Sequence, residues 1–176
     1  MEPVLKNVRR KPSAKEHRRV SEVVGVCISQ RKTDPKENVG NGFLQKGLGL
    51  VGDSHAGTEK EVSLLAIESL HKLHREAGIS AEPGSFAENI TTEGIDLTSL
   101  PVGSQLQVGK AKLTVVQIGK DPSQPHTYSY QGCSLLPAEG VFCKVIESGE
   151  VKAGDFIKLI DDKISLDLPL PIGGEI

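Results

Sequence analysis

Tryptophan is absent from this chain and other aromatics are rare, with four Phe and two Tyr in 176 residues. The core must therefore be filled by Val, Ile, Leu and Ala. Cysteine is almost as scarce. Cys27, Cys133 and Cys143 are odd in number, widely spaced and form no Cys-x-x-Cys, which excludes a disulfide framework and points to a reducing compartment. Long apolar runs are missing, since none approaches the roughly 18 residues that a membrane span needs. The first residues lack the apolar stretch of a secretory leader. A large charge of one sign is also missing: the net charge of −2 gives no electrostatic case for nucleic acid or membrane as partner. The expectation is a soluble cytoplasmic protein whose partners are small molecules or another protein. No feature of the sequence signals an oligomeric state.

Glycine and proline are plentiful, at nineteen and ten, and without the period of collagen they indicate a turn-rich single domain. Residues 1–19 stand apart. They hold Lys6, Arg9, Arg10, Lys11, Lys15, Arg18 and Arg19 against Glu2 and Glu16, too few apolar groups and too many like charges to offset the entropy of ordering. A flexible basic tail is expected there, and no aromatic is interleaved for stacking on bases. The folded domain is expected over 20–164, and an extended strap over 165–176, where Pro169, Pro171 and Gly173-Gly174 interrupt any regular element.

The stretch from Gly140 to Ile160 carries the clearest pattern. Val141 to Ile146 alternates, Ser148-Gly149 breaks the run, a short strand follows, and Ala153-Gly154-Asp155 turns into Phe156–Ile160. Three strands and two turns in about 20 residues point to a tightly wound antiparallel barrel. Val23, Val24, Val26 and Ile28 form a β-branched strand, and Leu106–Val108 with Leu113–Ile118 reads as a hairpin. One helix is expected over Leu65–Ala77, with Ile67, Leu70, Leu73 and Ala77 on one face and Gly78 as its stop. The glycine-rich connection from Gly40 to Gly57 is long for a compact domain, and long ordered loops tend to be functional. It lacks the Gly-Lys-Ser/Thr ending of a phosphate-binding loop.

Three constellations carry candidate chemistry. Cys133 lies beside Gly132 and Ser134 in an irregular loop that also holds Lys120 and His126, either of which would favour a thiolate. It is read as a reactive thiol or as an inert half-buried cysteine. Cys143 alternates with Val141 and Val145, so it belongs to a core face, and Cys27 is a strand residue of the same kind. Asp53-Ser54-His55 puts a carboxylate and an imidazole two residues apart, as general base, metal ligand or anion contact, or as an Asp capping its own turn. His71 and His74 share a helix face, but no third ligand is placed beside them, so surface histidines are expected.

Taken in order, Gly52-Asp-Ser-His-Ala-Gly57 with Glu61-Val-Ser-Leu-Leu-Ala-Ile-Glu68, Pro83-Gly-Ser-Phe-Ala-Glu-Asn-Ile90, and Gly140 to Asp155 resemble a stand-alone MOSC domain, the module named for the C-terminal part of molybdenum cofactor sulfurases. The resemblance runs from about Val20 to Leu159. It implies a mostly β fold, an antiparallel β-barrel related to that of pyruvate kinase, with one or a few short helices. It also implies binding of molybdenum cofactor (molybdopterin), or sulfurtransferase-like handling of sulfur for it with a sulfur donor protein. Molybdenum-ion and pyridoxal phosphate binding belong to the same family expectation. On this basis Cys133 and His55 are the expected catalytic residues and Cys133 the expected metal ligand. Asp53, Glu88, Asn89, Lys120 and His126 are the expected cofactor contacts, with Asn89 near a pterin phosphate. The chain departs from the family at Pro122, which stands where small members place their first loop cysteine. A binding or regulatory module that has lost the sulfur chemistry is therefore the alternative.

Overall fold

The computed structural model describes residues 20–121, 123 and 128–160. The expected tail at 1–19, the strap at 165–176, Pro122 and the candidate contact His126 lie outside the described residues. In chain order the elements are β1 (Glu22–Ile28), β2 (Glu37–Asn38), β3 (Asn41–Gln45), β4 (Gly49–Leu50), β5 (Val62–Ala66), α1 (Ile67–Ala77) and β6 (Ile90–Glu93). A short 3-10 turn (Leu97–Ser99) precedes β7 (Gln105–Val108), β8 (Ala111–Ile118), α2 (Leu136–Glu139), β9 (Val141–Glu147), β10 (Gly149–Lys152) and β11 (Ile157–Ile160).

The strands form one sheet in the order β11-β7-β8-β9-β5-β6-β1-β2 and a second in the order β10-β3-β4. Every pairing is antiparallel except β5 with β6, where Leu64 faces Ile90. That exception has a cause: parallel neighbours need a crossover, and α1 supplies it. The fold is thus mostly β with two helices. Regular pairing does not close the strands into a ring. The two sides of the large sheet approach at a single bridge, Glu22 to Phe156. Backbone bonds from Val23 N–H to Asp155 O and from Ile157 N–H to Ser21 O, both 2.8 Å, line the same seam.

The expected strands and hairpin are present, and β8 pairs with β9, Val115 opposite Cys143, through a register that shifts between Lys112 and Leu113 and again between Val115 and Gln117. The expected loop from 40 to 57 contains β3 and β4. Helix α1 ends at Gly78, whose φ of 70° is left-handed and whose N–H bonds to His74 O. His71 and His74 are exposed on it.

Alternation splits the apolar residues between two faces. Leu64, Val115, Val141, Cys143 and Val145 join the main core with Val26, Leu44, Leu106 and Leu113. Their neighbours Leu65, Phe142 and Val116 point to the other face, where Ile67, Leu70, Phe86 and Leu136 cover them. Cys27 and Cys143 are fully buried, as expected of core cysteines.

Candidate functional site

The end of β1, the segment before β2 and the Asp53–His55 turn meet in a polar cluster. The Lys36 side chain is almost wholly buried, and its Nζ lies 2.6 Å from Asp53 Oδ1, whose side chain is fully buried. Lys36 also donates to Ser29 Oγ at 3.1 Å and approaches His55 Nδ1 at 3.3 Å. Asp53 accepts two backbone bonds, from Ser29 N–H and from His55 N–H, each 3.0 Å. Burial alone would push the Asp53 carboxyl up. The bonds from Lys36 and Ser29, with the charge of Lys36, outweigh it and hold the group well below the usual carboxylate range. Asp53 thus caps its own turn and neutralises a buried lysine, and no lone pair on it faces outward as a base.

The loop before β6 is held by Glu88. Its fully buried carboxylate accepts from Gly84 N–H at 2.8 Å, Phe86 N–H at 3.1 Å and Thr91 Oγ at 2.9 Å. Burial pushes its carboxyl up in spite of those bonds. Asn89 is equally committed: Oδ1 accepts from Ser63 N–H and Ser63 Oγ, and Nδ2 donates to Cys27 O. Ala87, just before Glu88, has a φ of 64°, a strained backbone held by this network. Glu88 and Asn89 therefore hold the loop from buried positions, joining β6 to β1 and β5.

Cys133 sits elsewhere. It is partly buried and packs on the second apolar face with Phe86, Phe142, Tyr130 and Leu135. Tyr130 and Cys133 exchange backbone bonds of 2.8 and 2.9 Å, and Phe86 meets the Tyr130 ring edge-on with centroids 5.5 Å apart. Lys60 lies over the Phe142 ring, 5.0 Å from its centroid. Lys120 follows β8, pinned by its N–H to Pro137 O at 2.9 Å. Burial, then the nearby charge of Lys60, pushes the Lys120 ammonium down. Neither lysine has a carboxylate partner among the described residues. The other two thiols are out of play. Burial and then the charge of Glu88 push Cys27 up to about 12, and burial pushes Cys143 up to about 12.

Among the expected site residues, Cys133 shares no hydrogen bond with His55 or Asn89 among the described residues. Asp53 and His55 belong to the polar cluster around Lys36, and Cys133 packs on the apolar cluster that includes Phe142, over which Lys60 lies. Lys36 and Lys60 were not anticipated. Nothing in the spacing of Lys36 betrays a buried ion pair, whereas Lys60, just before β5, was within reach of inspection. Two clefts of about 480 and 570 Å³ open elsewhere, beside α1 and beside β3, and no expected site residue lines either. Among the described residues no three His, Cys, Asp or Glu side chains converge as metal ligands, and no helix is long and apolar enough to cross a membrane.

Together these features define a small β domain with two buried cysteines and a third, Cys133, partly exposed on the apolar cluster beneath Lys60. The chain belongs to the MOSC domain family, whose model matches residues 51–158. Its fold is shared with the YuaD protein of Bacillus subtilis, at TM-score 0.62 and 23% identity over 78% of this chain and 94% of that one. YiiM from Geobacillus stearothermophilus gives 0.64 and 18%, covering 82% of this chain and 77% of its own. YiiM from Escherichia coli gives 0.56 and 22%, covering 80% and 68%. Among curated proteins none matches.

Proposed function

We propose that this protein binds a molybdenum-cofactor-like ligand, an anionic pterin phosphate, against the apolar face around Phe142, with Cys133 as thiolate ligand or sulfur carrier. One observation carries the proposal: Cys133 packs on the same apolar cluster as Phe142, whose ring lies beneath Lys60, and Lys120 is close enough to feel the charge of Lys60. The donor set suits such a group. Two ammonium groups without carboxylate partners among the described residues complement a phosphate, the half-buried Tyr130 offers flat apolar area to a pterin at the margin of the cluster, and Cys133 packs on the same cluster. When bound, the cofactor supplies molybdenum redox chemistry. The chain supplies charge, an apolar seat and sulfur.

Sulfur carriage asks one step of Cys133. Its thiolate attacks the outer sulfur of a donor persulfide, the donor's S–S bond breaks, and the donor leaves as a thiolate. Cys133 then holds a persulfide, with no net oxidation. A reducing, cytoplasmic setting and a sulfur donor protein belong to this proposal.

The test is incubation of the full chain with a persulfide donor and with molybdenum cofactor, followed by mass spectrometry and metal analysis. Wild type should carry a persulfide and retain molybdenum. Cys133→Ser should lose the persulfide, and Lys60→Ala/Lys120→Ala should lower cofactor retention at least tenfold, the worth of about one charged hydrogen bond. Neither persulfide nor molybdenum on wild type would end the reading. The alternative, a binding module without sulfur chemistry, is favoured by Pro122 at the family's first cysteine position. It predicts undiminished cofactor retention by Cys133→Ser and no persulfide on wild type.

A further inference from the structure

The Lys36 ammonium has three protons and three neighbours: Asp53 Oδ1 at 2.6 Å, Ser29 Oγ at 3.1 Å and His55 Nδ1 at 3.3 Å. An ammonium has no lone pair, so each contact has one polarity, and the neighbour must accept. His55 Nδ1 therefore presents a lone pair. A chain of hydroxyls leads to the same atom. Ser29 Oγ, which accepts from Lys36, can donate its own proton to Ser54 Oγ at 3.1 Å, and Ser54 Oγ, 3.3 Å from Nδ1, is then free to donate to it. Asp53 Oδ2 does not reverse this. It is 3.6 Å from Nδ1, beyond hydrogen-bond reach, and is already engaged by the His55 backbone N–H. The ammonium contact thus requires an unprotonated Nδ1, the hydroxyl chain is compatible with it, and a neutral imidazole of that form carries its proton on Nε2.

We infer that Lys36 is a positioning residue that fixes His55 as an Nε2–H donor, and that this donor serves an oxygen acceptor of the phosphate or oxyanion class at the mouth of the cluster. Nε2 makes no hydrogen bond among the described residues, and the His55 side chain is 35% exposed while its two partners beneath are sealed. Lys36 and Asp53 cancel each other's charge, so His55 acts by a directed hydrogen bond. The role excludes the general-base and metal-ligand readings of its outer nitrogen, because a nitrogen that already bears a proton offers no lone pair. The inference uses neither Cys133 nor molybdenum and stands apart from the proposed function.

The tautomer is read by long-range nitrogen–proton NMR on the full chain labelled at histidine, at a pH where the ring is neutral. The His55 signals are identified by their loss in His55→Gln. Wild type should show a pyridine-type Nδ1 and a pyrrole-type Nε2, and inorganic phosphate should shift the Nε2 signal on titration. His55→Gln, which keeps an N–H at similar reach, should bind phosphate within about threefold of wild type. His55→Ala should bind about tenfold more weakly, the worth of one hydrogen bond to a charged acceptor. Lys36→Met should give a mixture of tautomers. The wild-type tautomer decides the first half even where that variant fails to fold. A proton on Nδ1 in wild type overturns the positioning role. Absence of phosphate binding, or binding that leaves Nε2 unmoved, overturns the oxyanion assignment. No readout involves persulfide or molybdenum, so failure of the cofactor reading leaves this result untouched.

Discussion

Removing an ammonium and a carboxylate from water costs several kcal/mol per ion, and a buried pair recovers this only with good geometry and further hydrogen bonds. Lys36 and Asp53 meet both conditions at 2.6 Å, with Ser29, His55 and two backbone N–H groups completing the set. Breaking such a pair is worse than never having it. Lys36→Met should therefore lower unfolding stability by about 3–5 kcal/mol, measured in urea, and Lys36→Met/Asp53→Leu should recover much of that loss. The pH dependence has a definite sign. Asp53 is lowered on folding, so its contribution is present above the unfolded carboxylate range of about 4 and is lost as pH falls towards its depressed value. Glu88 is raised by burial, so the folded form holds its proton more tightly. Its contribution is greatest below about 4 and is lost as pH rises to its raised value. Glu88→Gln should flatten that second slope in pH-dependent urea titrations. Two residues of like chemistry thus pull the acid limb of stability in opposite directions.

At the scale of elements, a glycine decides how closely two segments approach. Gly84 has a φ of 91°, and a Cβ there would run into the carbonyl oxygen of Lys36, the backbone that Gly84 also meets through Lys36 N–H at 3.0 Å. Gly47 has a φ of 75° with open space around it. Gly47→Ala should cost about 1–2 kcal/mol, the left-handed penalty alone. Gly84→Ala should cost clearly more in the same denaturation assay, because backbone must also shift. Equal losses would show that the loop before β6 yields without moving Lys36. The same elements show what periodicity reveals. Val141–Ile146 alternates strictly, and Ile67 and Leu70 fall one helical turn apart, so β9 and α1 were legible. The strands β3 and β4 were not, because Gly42, Gly47 and Gly49 interrupt them and β4 is two residues long. Such strands exist by pairing, Leu44 with Leu50 and Val151 with Gly42, and pairing leaves little trace in a single segment.

For the whole molecule, the legible part of the site was the division among thiols, and the illegible part was its partners. Strand alternation placed Cys143 in the core, and a loop of Gly, Ser and Pro kept Cys133 out of regular packing. Neither pattern could show that Asn89 turns inward or that Lys36 reaches under His55, because those contacts join residues 26 and 19 positions apart. Thiol labelling of the native chain should modify Cys133 alone, with Cys27 and Cys143 reacting only after denaturation, since both are fully buried. The seam between β1 and β11 poses the remaining question of architecture. A sheet edge with free N–H groups exchanges its amide hydrogens readily, whereas a closed seam exchanges only when the surrounding structure opens. Val23 N–H and Ile157 N–H each bond across the seam at 2.8 Å, and Gly154 N–H bonds to Val23 O at the same distance. If those bonds make the two sides one cooperative unit, the three amides should exchange as slowly as those of central β9 in hydrogen-exchange mass spectrometry. Fast exchange at Val23 and Ile157, with β9 protected, would show an open sheet whose edges merely touch.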